Sequence, residues 1–199
     1  MYEKNKKNLG ILIFPDVEVL DLAGPFEVFS VTNELNQDEL LNVFTIGETC
    51  DIIRAKNGLR IAADYTLETS PGPDFLIIPG GSGTRALLKN RKVLEWISRA
   101  APACENILSV CSGALILGRL GLLKGLEATT HHEVIPELEA LAPGAAIIRD
   151  RRFTDNGKIL TSAGVAAGID MSLYMVGRLF GASQARATAR YIEYPEAGG

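Results

Sequence analysis

Short apolar runs alternate with longer amphipathic segments along most of the 199-residue chain. Four runs are predominantly apolar and lie between Gly, Pro or polar residues, at 9–14, 42–47, 75–79 and 106–110. Runs of this length between turn signals predict strands that are buried on both faces. Because such strands are separated here by helical patterns, we expect an α/β fold with a mostly parallel sheet and helices on each side, the flavodoxin-like three-layer α/β/α sandwich.

The segments between these strands carry helical periodicity and two turn signals. Asn57-Gly58 and Asn156-Gly157 each separate two alternating segments, and Asn-Gly in that setting predicts a β-hairpin. The chain has no internal repeat and no long linker, so we expect a single domain over 1–199. A further strand is predicted at 126–131, and helices are predicted at 19–35, 84–101, 132–141, 166–181 and 183–194, with a short one after Cys111.

Several predicted parallel strands end at chemically distinctive residues. In an open α/β sheet, ligands bind in the crevice outside the carboxyl ends of the strands. Residues that are far apart in sequence are therefore expected to meet at that edge of the sheet and to form the site of chemistry. These residues are Asp21, Gly80, Gly81, Cys111, Ser112, His131 and Gly164.

Cys111 has the sequence surroundings of a nucleophile elbow. Small residues, Ser109 and Gly113, stand two positions before and after it, as a sharp turn from strand to helix requires. The turn exposes the thiol, and the helix N-terminus is expected to favour the thiolate and lower its pKa. The alternative is a buried structural cysteine, which is the interpretation we favour for Cys50 and Cys104.

Other residues at this edge could assist the thiol. Asp21, placed near a thiolate on a desolvated edge, is expected to have a raised pKa that suits proton transfer, although Asp also commonly caps helices. Gly80, Gly81 and the Ser112 amide can donate hydrogen bonds to charge on a bound substrate, although glycines also simply form turns. His131 could act as a base or could cap a helix.

Composition and charge narrow the class of protein. The net charge of −4 and the scattered basic residues argue against nucleic-acid binding. The polar opening and the short apolar runs predict neither a signal peptide nor a membrane span, so we expect a cytoplasmic protein. Three cysteines in such a chain predict free thiols, and no Cys or His spacing indicates a metal site.

Five stretches together resemble the ThiJ/PfpI superfamily, which has a class I glutamine amidotransferase-like fold. They are FPDVEVLDLAGPFEVF, IIPGGSGT, SVCSGALILGRLGLLKG, ATTHH and ILTSAGVAAGIDMSLYMV, and the resemblance covers about residues 8–194. Within the superfamily the chain is most similar to the isocyanide hydratase branch and to the sensor domains of AraC-type transcription regulators.

The resemblance implies roles for particular residues. The family's nucleophilic cysteine corresponds to Cys111 and its acidic partner to Asp21. An aspartate in LDLAGP is typical of the hydratase branch, whereas the protease and glyoxalase branches have glutamate. The protease branch also has a histidine where this chain has Ser112, so peptidase activity is disfavoured. His132 replaces a tryptophan that is typical of the hydratase branch.

The resemblance also implies an activity. Cys111 would attack the terminal carbon of an isocyanide to give a thioimidate, and Asp21 would move protons during hydrolysis to an N-formamide. The expected substrate is a small molecule, no cofactor or metal is expected, and a homodimer is expected. Two alternatives stay open, because the same elbow would serve them: a ligand-sensing module without turnover, and a redox or stress-response protein whose cysteine is oxidised.

Overall fold

The computed structural model describes residues 6–195, and a seven-stranded sheet forms its centre. Two pairs of short strands lie outside that sheet. The strands are β1 (Lys7–Leu12), β2 (Leu41–Gly47), β3 (Ile53–Arg54), β4 (Arg60–Ile61), β5 (Tyr65–Thr66), β6 (Phe75–Ile78), β7 (Asn106–Val110), β8 (Glu127–Ala128), β9 (Ala146–Ile147), β10 (Phe153–Asp155) and β11 (Ile159–Ser162).

The order of strands in the central sheet is β10-β11-β7-β6-β1-β2-β5. All neighbouring pairs are parallel except β10 and β11, which form an antiparallel hairpin at one edge. The central strands are buried on both faces, as their continuous apolar sequences predict. The predicted mostly parallel sheet is therefore confirmed.

Seven helices flank the sheet in the described part of the chain. Helices α1, α6 and α7 pack against one another, while α4 contacts α2 and α5. The result is the predicted flavodoxin-like α/β sandwich. The helices are α1 (Val19–Glu34), α2 (Thr84–Leu87), α3 (Arg91–Ala100), α4 (Ala114–Arg119), α5 (Ile135–Leu141), α6 (Ala167–Phe180) and α7 (Ala182–Tyr191). Within residues 6–195, none of these helices has the length and apolar character needed to cross a membrane.

The segment predicted as one helix at 84–101 is divided into α2 and α3. The break lies at Asn90, whose extended backbone ends the first helical segment. Its side-chain oxygen accepts a hydrogen bond from the Val93 amide at 3.2 Å, the arrangement of an N-cap. The capping preference of asparagine therefore prevails over the continuous helical periodicity.

The strand predicted at 126–131 is shorter than expected and lies outside the central sheet. Only Glu127–Ala128 is extended in a ladder, and it pairs with β9. The residues that follow are held by hydroxyl groups, since the Thr129 amide donates to Thr161 Oγ1 at 2.7 Å and Thr130 Oγ1 donates to the Cys111 carbonyl at 2.6 Å. These bonds hold the segment against the elbow, although the segment is not part of the central sheet.

Both Asn-Gly sequences form hairpins, as predicted. Asn57 and Gly58 adopt positive φ angles of 65° and 94° between the antiparallel strands β3 and β4. This 53–61 hairpin is attached to the loop before α1, since the Asp16 amide donates to the Arg54 carbonyl at 2.8 Å and the Lys56 amide to the Val17 carbonyl at 2.9 Å. The hairpin therefore lies next to the segment that leads to Asp21.

Candidate active site

The elbow at Cys111 has the geometry that its sequence predicts. Strand β7 ends at Val110, and Cys111 adopts a φ of 54°, which is uncommon for a residue with a side chain. A 3₁₀ turn, Cys111–Gly113, then leads into α4. A Cβ on Gly113 would lie 2.1 Å from the Ile78 carbonyl oxygen, so the turn requires glycine there. Such local strain is stored at sites where the surrounding structure holds it in place.

Asp21 is fully buried in the first turn of α1. It does not cap the helix, because the N-cap residue is Glu18. Its Oδ2 accepts a hydrogen bond from the Gly80 amide at 3.0 Å, while Oδ1 has no partner of normal hydrogen-bond geometry. The Cys111 thiol and the Val165 amide also approach this carboxyl group. Asp21 therefore has one oxygen that the Gly80 amide holds in place, and its carboxyl group lies beside the Cys111 thiol.

Burial controls the ionisation of both groups. It raises the pKa of Asp21 from 3.8 to about 7, more than the Gly80 amide lowers it, as the sequence analysis expects for a desolvated carboxyl group. Burial and then the Asp21 charge raise the pKa of the Cys111 thiol to about 12. Burial therefore favours the protonated thiol and brings the pKa of the carboxyl group close to neutral pH.

The expected lowering of the thiol pKa by the helix N-terminus is wrong. Hydrogen bonds from Ser112 do favour the thiolate, but burial and the Asp21 charge outweigh them. Helix α4 has only six residues and follows a 3₁₀ turn, so few aligned peptide dipoles act on Cys111. Cys111 is also only 8% exposed, so little water is available to solvate a negative charge on its sulfur.

Gly80, Gly81 and Ser112 form a rigid support for Asp21 and the elbow. The Gly81 amide donates to Ser112 Oγ at 2.9 Å, and that hydroxyl donates to the Gly81 carbonyl at 3.1 Å. A Cβ on Gly80 would lie 2.6 Å from the Ser112 nitrogen and 2.7 Å from Asp21 Oδ2. The Gly80 and Gly81 amides donate to Asp21 and Ser112 here, and their role as donors to a substrate stays a prediction. The Ser112 amide remains as a donor beside the thiol.

His131 lies next to the site and acts as a cap. Its Nδ1 accepts a hydrogen bond from the Glu133 amide at 3.3 Å, at the start of a 3₁₀ turn. Its ring packs so closely on Gly164 that a Cβ there would lie 2.1 Å from Cδ2. Burial, together with the adjacent His132, lowers the pKa of His131, which favours the neutral ring. The structure thus brings Gly164 and His131 together, since Gly164 leaves room for the imidazole, and their contact with a substrate stays a prediction.

Three residues of this region were not predicted from the sequence. Thr130 ties its segment to the Cys111 carbonyl. Lys56 and Glu18 form an ion pair, Nζ to Oε2 at 2.9 Å, whose charges act on Asp21. The Asn57-Gly58 turn signalled the hairpin that carries Lys56, but nothing in the sequence indicates where that hairpin docks.

An apolar cavity of about 340 Å³ lies beside the site without including it. Its walls come from the ends of β1 and β2 and from α2 and α3, and neither Cys111 nor Asp21 is among its lining residues. In residues 6–195 no group of three or more His, Cys, Asp or Glu side chains is placed to hold a metal ion. All three cysteines are free thiols. Cys104 is buried, as expected, with its sulfur near the Pro73 carbonyl, whereas Cys50 is exposed, so the expectation that Cys50 is a buried structural cysteine is wrong.

Several known proteins are similar to this chain in sequence and in fold. An isonitrile hydratase from Pseudomonas putida is 33% identical over 192 residues, which cover 95% of this chain and 79% of the relative. The transcriptional regulator GbdR of Pseudomonas aeruginosa is 27% identical over 191 residues, 96% of this chain, but the chain spans only 52% of the regulator's length.

Solved structures agree with these relatives. A ThiJ/PfpI family protein from Pseudomonas syringae has a TM-score of 0.86 and 31% identity, over 98% of this chain and 78% of that one. Drosophila melanogaster DJ-1beta has a TM-score of 0.83 over 96% of this chain and all of its own, at 17% identity, and so supports the fold alone. The model of the DJ-1/PfpI family matches residues 7–178. The chain therefore belongs to the DJ-1/PfpI family.

Proposed function

We propose that this protein is a cysteine-dependent hydratase that converts a small isocyanide to the corresponding N-formamide. The observation that carries the proposal is the arrangement of Asp21, which is fully buried, has one oxygen held by the Gly80 amide and has its carboxyl group beside the Cys111 thiol. A carboxyl group with a pKa of about 7 is matched to proton transfer at neutral pH. The similarity to an isonitrile hydratase supports this choice of reaction.

In the first step the thiol adds to the terminal carbon of the isocyanide. Because the pKa of the thiol is raised, Cys111 arrives protonated and requires a base. The Asp21 carboxylate removes the thiol proton as the carbon–sulfur bond forms, and it then delivers that proton to the same carbon. The product is a thioimidate, R–N=CH–S–Cys111, and Asp21 returns to its carboxylate form.

In the second step water adds to the thioimidate carbon. Asp21 takes one proton from the attacking water and delivers it to the nitrogen, which gives the tetrahedral adduct R–NH–CH(OH)–S–Cys111. The carbon–sulfur bond then breaks as Asp21 takes the proton of the adduct hydroxyl, which releases R–NH–CHO, and Asp21 passes that proton to the sulfur to restore the Cys111 thiol. Water is the only co-reactant, and the Ser112 amide beside the sulfur stabilises negative charge on it as it leaves.

The burial of Cys111 also fits this class of substrate. The residue is 8% exposed, so a bulky carbonyl substrate such as a peptide has poor access to the sulfur. An isocyanide group is linear and narrow, and its reactive carbon is at its tip. The proposal therefore includes a small-molecule substrate that enters the site with its terminal carbon first.

The test is formamide production from an aryl isocyanide by the wild type and by Cys111→Ala, Asp21→Asn and Cys50→Ala. We expect turnover by the wild type and by Cys50→Ala, which removes an exposed thiol, and loss of turnover in the other two variants. Mass spectrometry of a rapidly quenched reaction should detect the thioimidate on Cys111. Formamide production that persists in Cys111→Ala would contradict the proposal.

A ligand-sensing module is the second candidate, and the similarity to GbdR over nearly the whole chain favours it. Tight binding of an isocyanide or its analogue with no formamide produced would support this alternative. The redox alternative is less favoured, because oxidation by peroxide requires a thiolate and the pKa of Cys111 is raised to about 12. A homodimer and a cytoplasmic location remain part of the proposal, and light scattering tests the first.

A further inference from the structure

The ion pair of Lys56 and Glu18 joins the 53–61 hairpin to the segment that begins α1. The two side chains meet at 2.9 Å, with Lys56 49% and Glu18 18% exposed. The backbone of the same residues is also fixed, since the Lys56 amide donates to the Val17 carbonyl and the Glu18 amide to the Gly80 carbonyl, both at 2.9 Å. Lys56 is therefore held against the turn that also holds Asp21.

The negative charge of Glu18 disfavours ionisation of Asp21 unless a positive charge balances it. It is the N-cap residue of α1 and precedes Asp21 by three positions, so the two carboxyl groups lie within one helical turn. The charge of Glu18 raises the pKa of Asp21, whereas Lys56 interacts favourably with the charged forms of Asp21 and Cys111. Lys56 thus supplies positive charge close to a pair of groups that burial keeps from ionising.

Other charged or titratable groups surround this ion pair. His131 faces it from the segment after β8, and its imidazole interacts with the charges of both Lys56 and Glu18. Because burial favours the neutral form of His131, the positive charge paired with Glu18 comes from Lys56. Other charged or titratable groups on the elements packed together here are Asp16 on the loop before α1, Arg54 and Arg60 on the hairpin, and His132 and Glu133 next to His131.

We propose that Lys56 is a positioning residue for the Cys111–Asp21 pair, because its ammonium group neutralises Glu18 and favours the loss of a proton from that pair. Lys56 touches neither reacting atom and acts through Glu18 and through its own charge. The inference rests on the proposed function, in which Asp21 must be a carboxylate and the sulfur must give up its proton. It assigns an electrostatic role to a hairpin that is otherwise a surface element.

The test measures the rate at which iodoacetamide alkylates Cys111, followed by mass spectrometry of its peptide, as a function of pH. Lys56→Gln leaves the negative charge of Glu18 unpaired and should slow alkylation at a fixed pH below the midpoint of the rate–pH profile. Glu18→Gln leaves Lys56 as an unpaired positive charge and should accelerate it. A half-exposed charge near the site should shift the pKa by roughly half a unit, which is about a threefold change in rate in each direction.

The double variant Lys56→Gln/Glu18→Gln should return to within about twofold of the wild type, because both opposing charges are removed. Lys92 and Glu68 provide a matched control, since they form an ion pair of the same length, 2.9 Å, elsewhere on the surface. Lys92→Gln should leave the alkylation profile unchanged.

A purely structural role predicts a different result. If the ion pair only fastens the hairpin, both single variants should change alkylation in the same direction, and the double variant should not recover. That outcome, or profiles that coincide with the wild type, would overturn the inference. Alkylation does not require an isocyanide, so opposite shifts without formamide production would refute the hydratase proposal and leave the role of Lys56 intact.

Discussion

Replacement of Asp21 with Asn should change how the stability of the protein depends on pH. The substitution keeps the shape of the side chain and keeps an oxygen that can accept the Gly80 amide, but it removes the titratable group. An acid whose pKa is higher in the folded state binds its proton more tightly there. The wild type should therefore lose stability, relative to Asp21→Asn, as the pH rises from the unfolded pKa to the folded pKa.

The magnitude follows from the pKa of Asp21, which rises from 3.8 to about 7 because the group is fully buried. Each pKa unit corresponds to about 1.4 kcal/mol, so roughly three units amount to a relative loss on the order of 4 kcal/mol. The loss should accumulate between about pH 4 and pH 7 and then level off. Below this range the two proteins differ only by the constant cost of burying the amide nitrogen, about 1–3 kcal/mol.

Urea denaturation at several pH values measures this difference directly. The relevant quantity is the difference between the unfolding free energies of the wild type and Asp21→Asn, because all other titrating groups are common to both proteins. Asp51→Asn, at an exposed bend, is the control and should run parallel to the wild type. A constant difference between wild type and Asp21→Asn over this range would refute the conclusion that burial raises the pKa of Asp21.

Two further substitutions test the support beneath the site. Gly80→Ala should abolish formamide production and lower the unfolding free energy by about 2–4 kcal/mol, because the new Cβ would lie within 2.7 Å of Ser112 and Asp21 atoms. A stable and active variant would show that the turn can relax. Ser112→Ala should lower the unfolding free energy measured by urea denaturation by about 1–3 kcal/mol, because the buried Gly81 amide loses its acceptor. An unchanged urea midpoint would show that another group replaces the hydroxyl.

Several features of the site were predictable from short stretches of sequence. The spacing of Ser109, Cys111 and Gly113 indicated the elbow because a sharp strand-to-helix turn excludes bulky neighbours. A Cβ at Gly113 would indeed clash with a backbone carbonyl oxygen. The convergence of Asp21 and Cys111 was predictable because parallel strands bring their carboxyl ends to one edge. These inferences need only periodicity and local sterics.

Other features could not be read from the sequence. Helical periodicity continued through Asn90, but the cap at that residue divides the helix. The glycines after β6 were expected to contact a substrate, yet their amides are used by Asp21 and Ser112. Which donors remain free depends on contacts across the site, and such contacts join residues that are distant in sequence.

By itself the sequence determined the succession of the main strands and helices, the mostly parallel sheet, the elbow and the two residues at its centre. Only the tertiary structure decided that burial raises the pKa values of Cys111 and Asp21 and that Lys56 pairs with Glu18 three positions before Asp21. The physical reason is the range of the interactions. Hydrophobic periodicity and turn preferences act over a few residues, whereas desolvation and charge interactions sum over every segment that packs around a group.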